Sequence, residues 1–109
     1  RAVVLGGGPI GTELTQALAR LGSRVTQVEM LPNILSREDE EFSAMVQMQL
    51  ELEGVQVLTG HRAEAVEQTE EGSTLLVVDS NGEEARLPFD KLIVAAAERT
   101  FQPAAVKVA

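Results

Sequence analysis

The 109-residue chain has no cysteine, which excludes a disulfide framework, a thiol redox pair and a thiolate metal site within it. It has a single histidine, His61, too few for a conventional histidine metal cluster. Tryptophan and tyrosine are absent and aromatics make up 3% of residues, so the core must be aliphatic. Basic residues are few, 9 against 17 acidic, and the net charge of −8 argues against a nucleic-acid partner, which would need a basic footprint. No apolar run approaches the roughly 18–20 residues of a membrane span, and no signal peptide is visible. A cytoplasmic setting without a membrane partner is therefore expected.

What is present is ordinary for one soluble domain, with 44% hydrophobic and 24% charged residues. The informative stretch is the N-terminus. Ala2-Val3-Val4-Leu5 is an apolar run that meets Gly6-Gly7-Gly8-Pro9-Ile10-Gly11. Ile10, Leu14, Ala17, Leu18 and Leu21 then recur at helical spacing. A strand therefore turns sharply into a helix, and the turn carries Gly6-x-Gly8-x-x-Gly11. In a dinucleotide site the first glycine permits the tight turn, the second lets the backbone approach a pyrophosphate, and the third lets helix and strand pack closely. The helix N-terminus offers free N–H groups and partial positive charge to the phosphates, so an acidic chain can still bind a phosphate ligand. A second apolar segment, Val25-Thr26-Gln27-Val28, ends in Glu29, 21 residues after Gly8. That is near the spacing of a carboxylate that accepts bonds from an adenosine ribose.

Taken in order, the chain predicts a strand over Ala2–Leu5, a helix from Pro9 or Ile10 to Leu21 stopped by Gly22, and a strand over Arg24–Glu29. A second helix is expected to be capped at Ser36 through Ser36-Arg37-Glu38-Asp39, a capping-box pattern, and to run to Glu53. The acids Glu38 to Glu41 read as first-turn and solvated charges rather than a metal site. Met45 and Met48 read as core filler. Val55–Leu58 makes a third strand and completes a β-α-β-α-β unit, half of a doubly wound parallel sheet. No third crossover helix follows. His61–Thr69, Leu75–Asp79 and a segment alternating Ala85, Leu87 and Phe89 read as a three-stranded antiparallel meander, with a hairpin signal at Asn81-Gly82. Lys91–Ala95 reads as a fully buried strand returning to the parallel sheet, and Glu98–Ala109 as a loop-like tail with Pro103. The chain enters a strand at once after Arg1, so it is expected to be a segment of a longer protein.

This pattern resembles the NAD-binding domain of the FAD-dependent pyridine nucleotide-disulfide oxidoreductases, and within them the dihydrolipoamide dehydrogenase and mercuric reductase branch. The resemblance rests on Gly6–Leu14, Gly22–Glu29, Ile34-Leu35, Glu38-Asp39 and Glu53-Gly54-Val55. It implies an α/β, Rossmann-like doubly wound sheet with the meander in place of one crossover helix, and a single NAD(H)-binding domain over residues 1–109. By resemblance, Gly6, Gly7, Gly8, Pro9, Ile10 and Gly11 line the pyrophosphate. Glu29 binds the ribose hydroxyls and selects NAD(H), because a 2′-phosphate beside a carboxylate meets like charge. Glu13 matches an acid facing the nicotinamide, or is a helix-dipole partner in the first turn. Met30 and Ala63 flank the adenine.

The implied parent passes hydride from NADH to FAD and electrons on to a disulfide or related acceptor. The FAD, the redox cysteines and a dimerisation domain would lie outside this segment, and the parent would be a homodimer. The segment itself, with no catalytic residue of its own, is expected to bind NAD(H) without turnover. Two departures from the family pattern stand out. Pro9 cannot act as an aromatic gate over the flavin. The family's closing Gly-Arg-x-Pro-Asn or Gly-Arg-x-Pro-Phe is Ala97-Glu98-Arg99-Thr100-Phe101 here, which alters the nicotinamide end and leaves the adenosine end intact. A nucleotide-sensing regulatory module, a methyltransferase and a degenerate domain without productive nicotinamide binding are the competing readings. The missing third helix argues against the first, and the Gly11 spacing against the second.

Overall fold

The computed structural model describes residues 1–95 and the backbone of residues 107–108. Its elements are β1 (Ala2–Leu5), α1 (Pro9–Arg20), β2 (Val25–Glu29), α2 (Glu40–Leu52), β3 (Gln56–Thr59), β4 (His61–Thr69), β5 (Gly72–Asp79), β6 (Glu84–Phe89), β7 (Lys91–Val94) and β8 (Lys107–Val108). β3, β2, β1 and β7 form a parallel sheet in that order, with Val4 opposite Gln27 and Ile93. β6, β5 and β4 form the antiparallel meander, to which β8 adds as a parallel fourth strand on β4.

The two sheets and the helices make layers because side chains alternate across each parallel strand. Val3, Leu5 and Val28 face the meander and share a core with Leu75, Val77 and Leu87. Val4 and Val25 face the other way and share a core with Ile34, Leu35, Leu50 and Val55. The meander therefore does for one face of the sheet what the missing crossover helix would have done. Its hairpin is held by Asp79, whose carboxylate accepts from the Asn81 and Glu83 N–H groups at 2.8 and 2.9 Å.

Several expectations are corrected. The second helix begins at Glu40, and its cap is Asp39, which accepts from the Phe42 N–H at 2.8 Å. Ser36 cannot cap it, because the preceding loop buries Ile34 and Leu35, with Leu35 at φ 49°, and the Glu38 N–H bonds back to the Leu35 carbonyl. Those two loop side chains also fill the space beneath α2. The helix turns Ser43 and Leu50 inward, leaving Met45 and Met48 exposed rather than in the core. On α1, Ile10, Leu14 and Ala17 of the periodic stripe, with Leu21 just beyond the helix, face outward; its Leu18 packs against the helix-side core, and Gly11, Thr12 and Thr15 are buried. Strand β7 does join the parallel sheet, but as an outer strand among the described residues, so Lys91 and Val94 are exposed rather than fully buried. The tail is not wholly loop-like, since residues 107–108 pair with β4. Among the described residues no helix is long and apolar enough to cross a membrane.

The two helices are tied at their C-terminal ends by Glu53. It accepts from Arg20 at 2.8 Å, from Gln49 at 3.0 Å and from Gln16 at 3.2 Å. These donors offset the unfavourable placement of a carboxylate at the negative end of α2. The hydrogen bond from Arg20, followed by that from Gln49, holds the Glu53 carboxyl well below its ordinary 4.5, at about 2. A depressed carboxylate contributes stability that is fully present above its unfolded value and is lost as pH falls through the folded one. Glu53→Gln is therefore expected to lower stability near neutrality, with the gap to wild type closing between pH 4.5 and about 2. Urea unfolding over that range checks it, and a gap independent of pH contradicts it.

Candidate functional site

The strand order reverses at β1. The chain leaves it for β2 on one side, and β7 lies on the other. Ligands of open α/β sheets bind at the carboxyl ends of strands at such a point. Here that place holds the glycine loop, the N-terminus of α1 and the end of β2.

Three of the four glycines have a distinct physical reason. Gly6 sits at φ 127°, which strongly favours glycine. A Cβ on Gly11 would stand 2.3 Å from the Gly6 carbonyl oxygen, so α1 can lie against β1 only without a side chain there. A Cβ on Gly7 would meet Glu29 Oε1 at 2.9 Å and its Cβ at 3.0 Å. Gly8 is different. It has the unstrained values φ −76° and ψ −174°, and a Cβ on it would meet nothing within 4 Å. Neither backbone nor packing demands glycine there, which leaves open space at the start of α1. Gly8 is also the cap residue and offers no side chain to the first-turn amides, whereas α2 is capped by Asp39. Pro9 at the first helical position has no N–H to satisfy.

Glu29 closes the site from β2. It is buried, and its carboxylate accepts from the Gly7 N–H at 2.8 Å through Oε1 and from the Leu31 N–H at 2.8 Å through Oε2. Each carboxylate oxygen has room for a second donor. The structure thus joins Gly6, Gly7, Gly11 and Glu29, with Gly8, Pro9 and Ile10 beside them on the loop and first turn. Pro9 and Ile10 are exposed. Glu13 is exposed on α1 and lies past the first turn, which contains no acid, so the helix-dipole reading of it is not supported. Met30 is exposed just after β2, while Ala63, opposite Val77 beside a bulge in β4, packs against the core between the sheets. Among the described residues no side-chain hydrogen bond links these last three to the loop. The Ala97-Glu98 departure lies outside the described residues.

The sequence reading missed a polar group beneath the loop. Gln27, wholly buried on β2, donates from Nε2 to the Gly6 carbonyl and to Thr12 Oγ1, both at 3.1 Å. Thr12 in turn donates to the Gly7 carbonyl at 3.3 Å, which also accepts from the Leu35 N–H. The one available signal was a glutamine in the middle of an otherwise apolar strand.

The glycine geometry sets two opposite outcomes. Gly11→Ala drives a methyl into a backbone carbonyl and is expected to cost about 1–3 kcal/mol or more. Gly8→Ala is expected to stay within about 0.5 kcal/mol of wild type. Chemical denaturation of both variants checks this, and equal losses would contradict it.

Comparison with known proteins gives one consistent result. The family model described as pyridine nucleotide-disulphide oxidoreductase matches residues 1–82. The chain is similar to a dihydrolipoyl dehydrogenase from Thermus scotoductus, 40% identical over 100 residues, covering 91% of this chain and 22% of the relative. Among solved structures it is similar to an NAD-dependent persulfide reductase from A. fulgidus, with TM-score 0.75, 33% identity, and coverage of 88% of this chain and 17% of that one. A water-forming NADH oxidase from Lactobacillus brevis aligns with TM-score 0.80 at 23% identity over 89% of this chain and 21% of that one, a likeness of fold. The chain thus spans about a fifth of the length of these relatives.

Proposed function

This chain belongs to the pyridine nucleotide-disulphide oxidoreductase family, and on that premise we propose that it is an NAD(H)-binding domain of a longer FAD-dependent oxidoreductase. The observation that carries the reading is the pairing of an open, side-chain-free Gly8 at an uncapped helix start with a buried carboxylate, Glu29, on the adjoining strand end. The residues fit a dinucleotide. Loop and first-turn amides of α1 would donate to the pyrophosphate, favoured by the helix dipole. Glu29 would accept from the ribose hydroxyls while keeping its two backbone donors, and would repel a 2′-phosphate. Met30 and Ala63 would supply apolar flanks for adenine, and Pro9, Ile10 and Glu13 would border the nicotinamide end. When bound, the nicotinamide supplies the hydride that the parent delivers to its flavin and then, as electrons, to a disulfide or related acceptor. A flavin domain of the same parent and a second copy of that parent are the proposed partners, in the cytoplasm. The antiparallel meander, in place of a further β-α-β repeat, favours this reading over a nucleotide-sensing regulatory module.

The test is a fluorescence titration of the chain with NADH and with NADPH. The chain lacks tryptophan and tyrosine, so protein emission interferes little. NADH is expected to bind saturably and more tightly, and Glu29→Gln to shrink the preference by about tenfold, or ~1.4 kcal/mol. Equal binding of the two cofactors, or a preference untouched by Glu29→Gln, would contradict the assignment.

A further inference from the structure

We propose that Gln27, acting with Thr12, is a positioning residue that fixes the peptide planes of the glycine loop from beneath. The inference rests on the dinucleotide reading of that loop. Gln27 is 0% exposed, in the middle of β2, with Val4 and Val57 as its strand neighbours. Both neighbours belong to or pack against the aliphatic core on the helix side of the sheet. An aliphatic residue would suit that place. The carboxamide is instead spent on the loop.

The two bonds from Nε2 use both of its hydrogens, one on the Gly6 carbonyl and one on Thr12 Oγ1. The Thr12 hydroxyl, accepting from Gln27, has its own hydrogen directed to the Gly7 carbonyl. Two consecutive loop carbonyls are therefore reached by one buried chain of donors, the Gly7 carbonyl accepting from the Leu35 N–H as well. A trans peptide is planar, with its C=O and N–H pointing in opposite directions. Pinning the Gly6 carbonyl turns the Gly7 N–H the other way, where it meets Glu29 Oε1 at 2.8 Å. That peptide is clamped at both ends. Pinning the Gly7 carbonyl likewise turns the Gly8 N–H away from Thr12 and Leu35, on the residue whose missing side chain leaves open space. Gln27 thus fixes the Gly7 amide on Glu29 directly and, through Thr12, helps to orient the Gly8 amide that a pyrophosphate would meet.

The arrangement has a cost, and the cost points to function. Gln27 Oε1 is buried with no hydrogen-bond partner among the described residues, and so is the hydroxyl of Thr15, one turn along α1 on the same buried face. Leaving a buried acceptor unpaired destabilises the folded state. What offsets that cost is the pairing its two donors give to the Gly6 carbonyl and Thr12.

Loop order should therefore respond more strongly than stability to Gln27→Met, which keeps the length of the side chain and removes its donors. The melting temperature of the 109-residue chain is expected to change by no more than a few degrees, because the unpaired Gln27 Oε1 is removed while the Gly6 carbonyl loses its donor. Hydrogen exchange of the Gly7 amide, measured by NMR, is expected to quicken at least tenfold relative to that of Val4 in β1, and the Kd for NADH to rise about tenfold. Thr12→Val is expected to quicken Gly7 exchange as well, and Thr12→Ser, which keeps the hydroxyl, to restore it; this pair decides the matter should Gln27→Met fail to fold. Unchanged Gly7 exchange relative to Val4, or a loss of stability with no change in that ratio, makes Gln27 a packing residue and overturns the proposal. If the wild-type chain binds no NADH, the dinucleotide reading fails while the Gly7 ratio still decides the role of Gln27.

Discussion

The hydrogen bond from the Gly7 N–H to the buried Glu29 carboxylate is the contact on which the rest of the site depends. It ties the end of β2 to the turn between β1 and α1, two segments far apart in sequence. It requires glycine at position 7, since any Cβ there would press on the Glu29 side chain. It also gives Glu29 two duties. The carboxylate braces the loop through Gly7 and the chain beyond β2 through Leu31, and it stands where a ribose would present its hydroxyls. Any substitution at Glu29 therefore touches loop geometry as well as ligand charge, so charge reversal there is not a clean exchange of one cofactor for another.

The layer between α1 and the parallel sheet is built unlike the rest of the core. Elsewhere the sheet is filled by Val, Leu and Ile on both faces. Beneath the first turns of α1 the buried residues are Gly11, Thr12, Thr15 and Gln27. Small residues let the helix start lie against β1, and polar ones hold the loop carbonyls. The hydrophobic contribution lost here is supplied by the two aliphatic clusters, one beneath the meander and one beneath Ile34, Leu35 and Leu50. A sequence that breaks the apolar pattern only under its phosphate-type loop departs from its own rules where a ligand would sit.

The strands, the first helix, the meander and the glycine loop were legible because each is set by local patterning. Apolar runs bounded by glycine, and Asn-Gly between two alternating segments, carry their meaning within a few residues. What was not legible depended on which surface an element turns inward. Ile10, Leu14 and Ala17 have the period of a buried helix face, yet they face outward, because close approach to β1 selects Gly11 and Thr15 instead. Met45 and Met48 read as core and are exposed, because α2 turns Ser43, Val46 and Leu50 toward a core completed by Ile34 and Leu35 of the preceding loop. The start of α2 moved from Ser36 to Asp39 for the same reason. Periodicity says that a face is apolar and not what covers it.

By itself the sequence determined the order of elements, the parallel unit interrupted by a meander, the loop Gly6–Gly11 and the acid at Glu29, since these follow from chain-local propensity and spacing. Only the tertiary structure decided that Glu29 braces the loop, that Gly8 alone among the loop glycines is free of internal demands, and that Gln27 and Thr12 hold the loop from below. Those facts depend on distances between residues remote in sequence, which side-chain packing sets and one-dimensional pattern does not contain.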